Sequence, residues 1–153
     1  MKTYVVVFAA FMGVFGSKAY AQEIVHLKAD FMARECSSIS CSGGIKLQQI
    51  DVELKDMGHW ERATGTWGLW RDFTDYRIVG QIWVRRTWDG KYNITASISA
   101  DDLRTPVYEA KDSTRLGTVW FSSPADIPET YWDGPKYSLP GNRWIETMIG
   151  ISK

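Results

Sequence analysis

Apolar and polar residues alternate most regularly between Ile78 and Ala100. Tyr92, Ile94, Ala96, Ile98 and Ala100 take one parity, and Asn93, Thr95, Ser97 and Ser99 the other. That is the period of a strand with one face buried. The segment before it, Ile78 to Thr87, reads as a second strand, and Trp88-Asp89-Gly90 joins the two into a hairpin. A two-residue turn at Asp89-Gly90 would set Ile94 opposite Arg85 and turn Ile82 and Val84 to the polar face. A three-residue loop with Gly90 in the left-handed conformation sets Val84 opposite Ile94, Ile82 opposite Ala96, Gly80 opposite Ile98 and Arg86 opposite Tyr92. Sliding the register by one residue moves every side chain to the other face, so burial selects the three-residue loop. Trp83, Arg85 and Asn93 then share the polar face with Gln81, Thr95 and Ser97.

Similar patterns run through the remaining chain. Ile24, His26 and Lys28 alternate with Val25, Leu27 and Ala29 as a first strand, although Ala29 to Arg34 also suits a short helix. Ile45 to Met57 reads as a second strand whose apolar parity switches near Gln48-Gln49, where a bulge would reconcile the two halves. Thr64-Gly65 and Thr74-Asp75 are turn signals, which divides this region into strands at Trp60–Ala63 and Thr66–Phe73. Val107–Ala110 and Leu116–Phe121 follow, separated by a turn at Asp112-Ser113. Ser122 to Asn142 holds four of the five prolines, so a long ordered loop or lid is expected there. Arg143 to Ser152 alternates again and closes the chain. About eight short strands without a long helix predict an all-β, single-domain antiparallel β-sandwich or small β-barrel. Charged residues such as Glu53, Lys55, Arg85 and Arg86 disfavour an outer-membrane barrel.

The first 21 residues have a different purpose. Lys2 precedes an apolar run from Val5 to Gly16, and Ala19-Tyr20-Ala21 has the small-x-small form of a cleavage site. Residues 1–21 therefore read as a signal peptide and 22–153 as the mature domain, periplasmic or secreted. Cleavage would remove Lys2 and Lys18, leaving 16 basic against 18 acidic side chains, a net charge of −2. That balance argues against nucleic acid, whose phosphates require a basic surface, and it supplies no polybasic segment for anionic lipid. Cys36 and Cys41 are the two cysteines, and in an oxidising compartment they are expected to form a disulfide closing a serine-rich loop.

Tryptophan is the one compositional excess: all eight lie beyond residue 21. Most are expected in the core or at its rim, because the indole buries much area and suits sheets. Trp83 beside Arg85 and Asn93, Trp88 in the hairpin turn and Trp132 in the proline-rich segment are the candidates for a ligand-binding platform. Catalytic and metal constellations are weak. His59-Trp60-Glu61 offers a base and a carboxylate, but adjacent strand residues point to opposite faces. Asp72 and Asp75 read as turn aspartates, and no calcium-loop or zinc spacing occurs. No cofactor is expected. The composition points to a non-catalytic binding protein of the cell envelope, whose partner is a glycan or another exported protein. The alternatives are an inhibitor that inserts the Cys36–Cys41 loop into a secreted hydrolase, and a small hydrolase using His59.

Overall fold

The computed structural model describes residues 23–55, 61–104 and 110–153. Residues 1–22, His59, Trp60 and Val107 to Glu109 lie outside them. Ten strands follow in order: β1 (Glu23–Cys36), β2 (Cys41–Ser42), β3 (Ile45–Leu54), β4 (Glu61–Asp72), β5 (Tyr76–Thr87), β6 (Tyr92–Asp102), β7 (Ala110–Phe121), β8 (Thr130–Asp133), β9 (Tyr137–Leu139) and β10 (Arg143–Ser152). They form two antiparallel sheets, consistent with a β-sandwich. In sheet A, β1 lies between β10 on one side and β3 with β2 on the other, while β8 and β9 line the far edge of β10. Sheet B is the meander β4-β5-β6-β7. No helix of the described residues is long and apolar enough to cross a membrane.

Period-two patterning accounts for the core. Val25, Leu27, Ala29, Phe31 and Ala33 of β1 turn inward with Ile145, Ile149 and Ile151 of β10 and Ile50, Val52 and Leu54 of β3. From sheet B they meet Ile78, Ile82 and Val84 of β5 and Ile94, Ala96 and Ile98 of β6. Gly80 stands at one close approach of the sheets: a β-carbon there would meet the Phe31 ring at 2.5 Å and Ile149 at 3.3 Å. Lys55 and Thr64 exchange backbone hydrogen bonds of 3.0 and 2.9 Å, which join β3 to β4 and link the sheets along one edge.

The β5–β6 register is the one the alternation selects. Val84 faces Ile94, Ile82 faces Ala96, Gly80 faces Ile98 and Arg86 faces Tyr92. Gly90 has φ +82°, its N–H donates to Thr87 O at 3.0 Å, and the Thr87 N–H donates to Lys91 O at 2.8 Å. The loop between the strands is therefore Trp88-Asp89-Gly90.

Other expectations are corrected. Ala29 to Arg34 is strand, because both neighbours of β1 pair with it there or beside it. The β1–β3 ladder runs without a slip from Glu23–Leu54 to Met32–Ile45, so β3 has no bulge at Gln48-Gln49. Thr64-Gly65 lies inside one continuous strand, β4, and Asp112-Ser113 inside β7. The segment 122–142 is not one long ordered loop or lid: a 3-10 turn over Pro124–Asp126 leads into β8 and β9, which pair with opposite halves of β10. Pro128, Pro135 and Pro140 fall outside those two short strands, so no ladder bond is lost to them.

Candidate functional site

The outward face of sheet B gathers polar and aromatic side chains in cross-strand rows. Arg85, Asn93 and Trp120 form one row, and Trp83, Thr95 and Thr118 the next. Gln81, Ser97 and Arg115 form a third. On β6, the middle strand of these rows, the outward residues are short, whereas Trp83 and Arg85 on β5 and Arg115 on β7 are long. Neighbouring side chains therefore overhang β6, and Asn93 and Ser97 are only 5% and 4% exposed despite pointing away from the core. The result is an open groove of about 330 Å³ lined by Trp83, Arg85, Asn93, Thr95, Ser97 and Arg115, with Ser113 at its end.

Hydrogen bonds order one wall. Arg115 Nη2 donates to Thr118 Oγ1 at 2.6 Å, and the Thr118 and Thr95 hydroxyls lie 2.8 Å apart. Two more indoles stand on the same face: Trp120, 59% exposed beside Asn93, and Trp70, 60% exposed with the Arg77 guanidinium 5.9 Å from its ring centroid. Arg77 is itself held by both carboxylate oxygens of Asp72, at 2.7 and 3.0 Å. That contact keeps the Asp72 carboxyl below the usual range, so Asp72 acts as an ion-paired residue of the β4–β5 turn.

The structure thus brings Trp83, Arg85 and Asn93 into one groove and places the other two candidate tryptophans elsewhere. Trp88 is 68% exposed at the hairpin tip, outside the groove. Trp132, on β8, is partly buried against the core with its ring over Gly117. Arg115 and Ser113, which line the groove, and Trp120 beside it were missed by sequence reasoning. The parity of Trp120 relative to buried Phe121 was an available signal; the facing of Arg115 depends on a bulge with no local signature.

Cys36 and Cys41 form the expected disulfide, linking the end of β1 to β2. Ser37 N–H donates to Ser40 O at 2.8 Å, and the Ser37 hydroxyl accepts from the Ile39 and Ser40 amides. The loop carries Ile39, 93% exposed, at its tip. Among the described residues, the one close grouping of metal-ligating types is Cys36, Cys41 and Glu146. Its sulfurs are bonded to each other, so no thiolate is present to ligate an ion.

Glu146 has a structural role on the outward face of sheet A. It accepts from Trp144 Nε1 at 3.0 Å and from Arg34 Nη2 at 2.8 Å, and Lys136 Nζ lies 3.2 Å away. These donors hold its carboxyl at about 2. A larger hollow of about 420 Å³ lies beside β1 and β3, lined by Ile24, His26, Ile50, Asp51, Pro124 and Lys153 among others. His26 Nδ1 and Asp51 Oδ1 are 2.6 Å apart there, but the described lining has no hydroxyl or thiol for that pair to activate. Comparison with protein-family models, curated proteins and solved structures finds no match to this chain.

Proposed function

We propose that the mature chain is an exported, non-catalytic binding protein that engages a glycan of the cell envelope through the outward face of sheet B. One observation carries this reading: Trp83, Arg85 and Asn93 converge on a single groove with the hydroxyl residues Thr95, Ser97 and Ser113. An indole offers a flat apolar surface to the C–H face of a sugar ring, while amide, hydroxyl and guanidinium groups around it meet the ring hydroxyls. The groove is open along the sheet, which suits a chain of sugars better than an enclosed small molecule. The leader-like residues 1–21 and the Cys36–Cys41 bridge support export into an oxidising compartment.

Calorimetric titration of the mature chain with soluble peptidoglycan fragments and a panel of envelope oligosaccharides tests this. Saturable binding that disappears in Trp83→Ala, with the unfolding midpoint kept, is the expected result. Absence of binding to every glycan by the folded protein overturns the reading.

Ile39 favours a second reading. A large apolar side chain at the tip of a disulfide-closed, internally hydrogen-bonded loop is pre-organised to enter a pocket on a partner protein, as in inhibition of a secreted hydrolase. Under that reading, Ile39→Glu abolishes partner binding and Trp83→Ala leaves it intact.

A further inference from the structure

We infer that the ligand of the sheet-B groove is an acidic saccharide, its ring set against Trp83 and its carboxylate directed to Arg115. The inference rests on the glycan reading of the same groove and adds the charge of the ligand.

Three observations carry it. First, the row containing Trp83 lies between the row of Arg85 and the row of Arg115. Rows are about 7 Å apart along the strands, and β5 and β7 stand two strand spacings, about 10 Å, apart, so a sugar stacked on the indole extends across β6 toward the Arg115 guanidinium. Second, the described residues lining the groove include Arg115 and no carboxylate. Third, the hydrogen bond that holds Arg115 goes to the neutral hydroxyl of Thr118, which positions the guanidinium without cancelling its charge. Sheet A differs in this respect. There Arg34 and Lys136 both lie against the carboxylate of Glu146.

The wall also favours donation to the ligand. Arg115 donates to Thr118 Oγ1, whose hydroxyl shares a hydrogen bond with that of Thr95, either oxygen being able to donate. With the Asn93 amide and the Arg115 guanidinium, the groove offers donors, and a group that only accepts complements them. A carboxylate is such a group, and its charge strengthens each bond it receives.

The test uses matched pairs of glycans. Oligogalacturonates, sialyl-oligosaccharides and muramic-acid-containing peptidoglycan fragments are titrated against the mature chain beside their carboxyl-reduced counterparts, at low and raised ionic strength. The expected result is that an acidic member binds about tenfold or more tighter than its reduced partner. Raising the salt should narrow that difference. Arg115→Gln should bring acidic and reduced affinities together, Arg115→Lys should restore part of the preference, and Trp83→Ala should remove both affinities. Equal binding of acidic and reduced partners, or a preference unchanged in Arg115→Gln, overturns this inference and leaves the glycan reading standing. Failure of every glycan, acidic and reduced, overturns the glycan reading itself. Where a variant fails to fold, the salt dependence of the wild-type preference still decides: a preference that salt does not narrow overturns the inference.

Discussion

The indole of Trp132, on β8 of sheet A, lies over Gly117, on β7 of sheet B, in the space a side chain at 117 would fill. This contact brings the sheets together on the side away from the Lys55–Thr64 bridge. Glycine is required there by close approach, since no positive φ is involved. Gly117→Val should therefore push the ring out of place and lower stability by about 1–3 kcal/mol, the usual cost of overpacking. Urea unfolding followed by far-ultraviolet circular dichroism measures it. An unchanged midpoint would show that Trp132 is not seated as described.

The Cys36–Cys41 bridge closes a short loop, so its constraint on the unfolded chain is small. Cys36→Ser with Cys41→Ser should cost about 2 kcal/mol, the low end for a disulfide. The β1–β10 pairing should survive, because it runs from Lys28–Ser152 to Cys36–Trp144 and does not depend on the bridge. Chemical denaturation of the double variant checks the cost. Loss of the fold would assign the bridge a global role.

Acid stability should carry the imprint of Glu146. The Trp144 indole N–H, then Arg34 and Lys136, lower its carboxyl from an ordinary 4.5 to about 2 in the folded protein. Its contribution to stability is then fully present above about pH 4.5 and is lost as the pH falls toward 2. Glu146→Gln should flatten the fall in stability across that window relative to the parent and change little in its slope above it. Thermal midpoints from pH 2 to 7 test this; parallel curves for the two proteins would contradict it.

Legibility in the sequence tracks how local the determining physics is. The β5–β6 register was readable because both strands alternate and a three-residue loop alone connects them. β4 was misread because Thr64-Gly65 has the chemistry of a turn, whereas Gly65 lies against the Glu53 backbone of a neighbouring strand, a reason for glycine that only tertiary structure supplies. β7 was misread for a related reason. Its ladder with β6 slips at Ala96/Ser97, where Leu116 is the extra residue, and again at Ala100/Asp101, where Lys111 is. The first bulge lets Leu116 pack toward the core beside Gly117 while Arg115 joins the outward rows. Half the groove was therefore visible, on β5 and β6, and the half on β7 was not. Trp132 was misassigned to an open segment because the prolines around it suggested one, although they only bracket the short strands.

Binding of a ligand on the outward face of sheet B should be visible in the indole N–H resonances of the eight tryptophans. They can be assigned by single Trp→Phe variants and followed in two-dimensional spectra as an acidic oligosaccharide is added. The expected result is a saturable shift of the Trp83 resonance, with a smaller one from its neighbour Trp120, while Trp132 against Gly117 and Trp144 against Glu146 stay fixed. Shifts centred on Trp88, Trp132 or Trp144, with Trp83 unmoved, would contradict it.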